Sequence, residues 1–142
     1  MSDTVSVQTA ESNKAKTIEA YRVVREEGDW EAFFKDFDPQ VKVVEADSLP
    51  YGGVYHGVEG AKYLVQTAMG TWDNFGFEVE EIAAAGDLVF IYIYMRGTGK
   101  KTGKTFSYPL VEVWRFREGK VVEFRPFYWD THRVREVYGD LS

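Results

Sequence analysis

The sequence predicts an α+β domain in which a curved antiparallel sheet wraps around N-terminal helices to form a cone-shaped pocket. Three observations predict it. Apolar residues recur at helical spacing only as far as Gly70. Beyond that point the period shortens to two, and turn residues separate the runs. Helices first and antiparallel strands last is the order of domains that pack helices on one face of a sheet. A sheet bent around a helix leaves an apolar cone, a common form of ligand site.

The elements follow in order. Residues 1–12, MSDTVSVQTAES, read as a flexible N-terminal tail, and residues 13–142 as one domain. Ala15, Ile18, Tyr21 and Val24 fall at spacings of three and predict a helix over 14–27, which Gly28 ends. Asp29 is placed to cap a short second helix carrying Trp30, Phe33, Phe34 and Phe37, closed by Pro39. VKVVEA, 41–46, reads as a strand and DSLPYGGVYHG as a loop. Ala61, Leu64, Val65, Ala68 and Met69 predict a helix over 58–70. Strands are expected near 75–83, 88–96, 105–117 and 120–130, with turns at Gly86-Asp87, near Thr98–Gly103 and at Glu118-Gly119. A closing helix begins near Thr131.

Composition narrows the function. A net charge of −6 disfavours a nucleic-acid partner, which needs a basic surface. The lysines of GKKTGK, 99–104, read as a solvated hairpin tip. No apolar run reaches the length of a membrane span, and the N-terminal residues lack a signal-peptide pattern, so a cytoplasmic location is expected. With no cysteine, and with His56 and His132 far apart, thiol chemistry is excluded and a metal site is not expected. GxGxxG, P-loop and G-x-S-x-G motifs are absent, and no cofactor is expected.

The run LVEVWRF, 110–116, puts Glu112 on the same strand face as Leu110, Trp114 and Phe116. A carboxylate there must be paired, protonated or in use. A two-residue turn at Glu118-Gly119 pairs Arg117 with Lys120 and sets Glu112 opposite Arg125, with Phe127 and Trp129 on the same face. A glycine-bulge turn would shift the register and send Arg125 to the other face. Glu112 is then either a proton donor or one half of a buried pair with Arg125. In strand 88–96, Phe90, Tyr92, Tyr94 and Arg96 alternate with Val89, Ile91, Ile93 and Met95. Both faces are apolar enough to be covered, one by the helices and one by a second copy, so a homodimer through the sheet face is expected.

The order helix, GDWEAF, strand, YGGVYHG, helix, then VEVWRFREGKVVEFRPFYWD resembles the nuclear-transport-factor-like cone fold. Within that superfamily the chain is similar to the ketosteroid isomerase and SnoaL-like polyketide cyclase branch over about residues 14–138. The resemblance implies a cofactor-free acid–base site. The helix tyrosine of those isomerases falls on Tyr21, the carboxylate base on Glu45, the oxyanion-binding acid on Glu112, and the aromatic pair before the last helix on Tyr128 and Trp129. Both acids are Glu where the isomerases carry Asp, Phe37 stands where they have a supporting tyrosine, and Arg125 replaces an apolar residue.

Two functions from different classes are consistent with these residues, beside a third reading as a module that only dimerises and takes no ligand. The first is a proton-transfer enzyme, an isomerase or cyclase, acting on a small hydrophobic carbonyl compound. Its catalytic residues are Glu45, Tyr21 and Glu112, and its pocket is lined by Arg125, Tyr92, Tyr94, Trp114, Phe127 and Trp129, with His56 at the mouth. The second is a domain of the same fold that binds a small hydrophobic ligand without turning it over.

Overall fold

The computed structural model describes residues 3–140; Met1 and Ser2 at one end, and Leu141 and Ser142 at the other, lie outside the described residues. The element order is α1 (Asp3–Glu27), α2 (Trp30–Phe33), β1 (Phe37–Glu45), β2 (Gly53–His56), α3 (Gly57–Gly70), β3 (Trp72–Ala85), β4 (Leu88–Gly99), β5 (Thr105–Arg117), β6 (Lys120–Tyr128) and α4 (Thr131–Tyr138). The first helix begins at Asp3, so most of the segment expected as a tail is helical, and Ala10 and Asn13 are buried. Gly28, at φ 65°, ends it. Asp29 caps α2 by accepting a hydrogen bond from the Ala32 N–H at 3.0 Å. Phe37, expected in that helix, opens β1 instead.

The six strands form one open sheet in the order β2-β1-β6-β5-β4-β3. All neighbours are antiparallel except β1 and β6. The short strand β2, read as loop from the sequence, extends the sheet beyond β1. Helix α1 lies against β3 and β4, and α3 against β1, so both cover the same concave face. On that face Val41, Val89, Ile91, Ile93, Leu110, Trp114, Phe116 and Val121 join Tyr21, Phe33, Phe34, Ala61 and Leu64 in one core. A smaller core of Leu49, Tyr51, Trp72, Phe106, Tyr108, Val134 and Val137 sits under α4. Asp130 caps α4 through the Arg133 N–H at 3.0 Å.

The β5–β6 hairpin corrects the predicted register. Glu118 and Gly119 have φ of 51° and 77°, as a two-residue turn requires, and Arg117 does pair with Lys120. Phe116 then pairs with Val121, but Arg115 pairs with Glu123, leaving Val122 as an extra residue in β6. The cause lies in burial. Val121 and Phe124 are both buried, and residues three apart share a strand face only across a bulge. Beyond it every side chain changes face, so Phe124, Pro126 and Tyr128 line the concave side.

Candidate functional site

Helices α1, α2 and α3 and the concave face of the sheet enclose a cavity of about 80 Å³. Its walls are almost wholly apolar, and the polar side chains reaching it are those of Tyr21, Glu45, Glu112 and Tyr128. No cation lines it. The volume is about half of the roughly 150 Å³ that admits benzene, so a six-membered ring enters as the wall yields. Met69 and Met95 line the wall, and their unbranched side chains are the ones best able to yield to something larger.

The strand registers set the two carboxyls in one row. Val43 pairs with Phe124 across β1 and β6, so two residues further on Glu45 lies beside Pro126. Pro126 in turn lies opposite Glu112 on β5. The two Cα atoms are therefore two strand spacings apart, roughly 10 Å, and both side chains point into the concave side. Glu45 is 3% exposed and its Oε1 has no hydrogen-bond partner. Burial pushes its carboxyl well above the usual range, and the charge of Glu112 adds to that.

Glu112 is as deeply placed but better supplied. Its Oε1 accepts a hydrogen bond from the Tyr21 hydroxyl and another, at 3.3 Å, from Trp114 Nε1. Burial raises its pKa to about 7, while those two donors pull in the opposite direction. Tyr21 itself is buried, with its ring set edge-on to Phe33 and Phe77. Burial and the neighbouring carboxyl push its phenol up, so it remains a donor. This is a pair of carboxyls in an apolar cone, able to hold one proton between them.

The structure places the sequence-derived residues unevenly. Tyr21, Glu45 and Glu112 meet at the cavity, and Trp114 supports Glu112 from behind. Arg125 does not pair with Glu112. The bulge turns it to the convex face, where it bonds Glu123 at 3.3 Å. Phe127 and Trp129 follow it outward and are 57% and 76% exposed. Tyr92 and Tyr94 also lie on the convex face, because Val89, Ile91 and Ile93 take the buried side of β4. His56 is exposed at the cap position of α3 and does not line the cavity.

Sequence reading missed Phe124, Pro126 and Tyr128, and also Phe33, Phe34, Phe75 and Phe77, as cavity walls. For Phe124 and Pro126 part of the signal was present. Glu123 and Arg125 alternate with Phe124 and Pro126, which puts charges out and apolar residues in. Among the described residues no group of three or more His, Cys, Asp or Glu is placed to hold a metal. No helix among them is long and apolar enough to cross a membrane.

Comparison with known proteins agrees with this geometry. The chain matches the model of the SnoaL-like domain over residues 18–124, and it belongs to that family. Among solved structures it is similar to an NTF2-like protein from Burkholderia thailandensis E264, with a TM-score of 0.80 and 28% identity over 88% of this chain and 95% of that one. A protein from Catenulispora acidiphila with a ketosteroid isomerase-like fold, in complex with trimethylamine, aligns with a TM-score of 0.62 at 18% identity, over 80% of this chain and 85% of that one. TerC, co-crystallized with polyporic acid, aligns with a TM-score of 0.74 at 21% identity, over 89% of this chain and 98% of that one. No protein of curated function matches the chain.

Proposed function

We propose that this SnoaL-like domain binds a small, mainly apolar carbonyl compound in the cone and moves a proton on it without a cofactor. The observation that carries the reading is the buried carboxyl of Glu45, its Oε1 unpartnered, in the same apolar cavity as the Tyr21–Glu112 pair. In the empty cone two donors favour ionised Glu112, and Glu45, lacking any, keeps the proton. A carbonyl oxygen docked beside Tyr21 and Glu112 needs a donor and reverses that preference. Glu112 then takes the proton and Glu45 is left ionised.

Chemistry follows from that state. Ionised Glu45 removes a proton from the carbon next to the carbonyl, and the bonding pair moves to oxygen. The enolate accepts hydrogen bonds from Glu112 and Tyr21. Return of the proton to another carbon gives an isomer; attack of the enolate carbon on a second carbonyl gives a ring. Either outcome uses the same three residues.

The test is hydrogen–deuterium exchange next to the carbonyl of cyclohexanone in D2O, followed by proton NMR. The protein should accelerate exchange, and Glu45→Gln should lose about a hundredfold or more of the acceleration. Binding without acceleration contradicts proton transfer and leaves the second reading, a domain that sequesters its ligand. One observation favours that second reading: the cavity wall is almost wholly apolar and offers a ligand little besides burial.

The convex face supports a homodimer. Phe90, Tyr92, Tyr94, Phe127 and Trp129 form an exposed aromatic patch. Tyr92 and Tyr94 pack edge-on at 5.8 Å. Exposed Glu78 and Glu80 stand on β3 at one side of the patch, and Arg125 on β6 at the other. A twofold axis parallel to the strands lays each β3 over the partner's β6, so opposite charges meet.

A further inference from the structure

Beside the carboxyl row lies a group of polar atoms that the proton-transfer reading does not use. Tyr51, Trp72 and Tyr108 belong to the smaller core and are 4%, 4% and 7% exposed. Tyr51 Oη and Tyr128 Oη are 3.2 Å apart. The hydroxyl of Tyr108 and the indole N–H of Trp72 are buried without a hydrogen-bond partner. Three polar groups this deep, two of them unpaired, are costly unless something completes them.

Their chemistry gives the cluster a direction. An indole N–H can only donate. That of Trp72 is buried and unpaired in the same cluster as the Tyr51 hydroxyl, which burial pushes up to about 12. The Tyr51 and Tyr128 hydroxyls can share their bond in either direction, and with Tyr51 donating, the Tyr128 proton is free to turn to an oxygen in the cavity. Tyr128 is also the one member of the cluster that lines the cavity. On the sheet it lies opposite Leu110, one inward position along from the Pro126–Glu112 row, so its Cα is roughly 7 Å along the strand from that row.

We propose that Tyr128, oriented by Tyr51, Trp72 and Tyr108, is a second hydrogen-bonding subsite of the cone and takes a second oxygen of the ligand. The ligand class narrows accordingly to compounds with two oxygen functions on a short apolar frame, a dicarbonyl or a hydroxy-carbonyl. One oxygen sits at Tyr21 and Glu112, and the other accepts from Tyr128. This rests on the proposed placement of the first carbonyl beside Glu112.

The test compares cyclohexanone with cyclohexane-1,4-dione, binding being read by tryptophan fluorescence. The dione should bind about tenfold more tightly than the monoketone, the worth of one well-placed hydrogen bond. Tyr128→Phe should reduce that ratio to about one, and Tyr51→Phe should reduce it in part. Glu112→Gln should weaken both ketones alike. Equal affinity of the unmodified protein for the two ketones, or equal loss of both on Tyr128→Phe, overturns the subsite. An unchanged affinity for cyclohexanone in Glu112→Gln, with the Tyr128→Phe effect intact, overturns the placement at Glu112 and leaves the subsite standing. Failure of both ketones to bind overturns both.

Discussion

Glu112→Gln should make the protein more stable at alkaline pH, and the size of the gain follows from burial. The Glu112 carboxyl has an ordinary value of 4.5 and is raised to about 7 in the fold, chiefly by desolvation. A raised acid means that the folded state holds its proton where the unfolded chain has released it. Stability is therefore undiminished below about pH 4.5 and falls as the pH climbs to about 7, above which the loss is complete. An interval of about 2.5 pH units at about 1.4 kcal/mol each gives a loss of about 3 kcal/mol. Glutamine keeps an oxygen to accept from Tyr21 and Trp114 and never ionises. Its buried amide N–H groups add a cost of about 1 kcal/mol, but that cost is the same at every pH. The diagnostic is thus the difference between pH 5 and pH 8. Urea denaturation at pH 5, 6, 7 and 8, followed by tryptophan fluorescence, should show the variant gaining about 3 kcal/mol on the unmodified protein across that range. Residual pH dependence from Glu45, raised in the same direction, should remain in the variant. Parallel pH profiles for the two proteins would refute a buried, strongly perturbed Glu112.

Three further outcomes are expected. Asp130→Ala removes the cap of α4 and should cost about 1 kcal/mol in denaturant unfolding. Gly99→Ala should cost more, about 2 kcal/mol or above, because the added Cβ would lie 2.0 Å from the Val137 carbonyl oxygen; a loss below about 0.5 kcal/mol would contradict that close approach. Phe127→Asp places a charge in the exposed aromatic patch and should convert a dimer to a monomer by light scattering, with the fold intact by circular dichroism. A monomeric unmodified protein at tens of micromolar would remove the dimer reading.

The sequence disclosed much of the fold because its periods are clean. In 105–117 apolar and polar residues alternate with few interruptions, and the strand runs over just those residues, with Glu112 facing in. The cap at Asp29 and the turn at Glu118-Gly119 are local chemistry and were legible as such. The bulge at Val122 was not, because Val121 and Val122 are both apolar and β-branched and either suits a buried position. Only the competition of Val121 and Phe124 for the same core decides it. That single extra residue moved Arg125, Phe127 and Trp129 out of the cone and brought Phe124, Pro126 and Tyr128 in. Tyr92 and Tyr94 were ambiguous for a related reason: both faces of β4 are apolar, and period two alone does not say which one meets the helices. Strand β2 escaped notice because four residues beside two glycines carry too little pattern.

The most direct test of whether two buried carboxyls titrate as a coupled pair in one apolar cone is a carbon-13 NMR titration of the glutamate side chains, with Glu45→Gln and Glu112→Gln used to assign the signals. The account predicts that both carboxyls titrate well above 4.5, Glu112 near 7, and that removing either one shifts the other. Ordinary titration of Glu45 near 4.5, independent of Glu112, would contradict it.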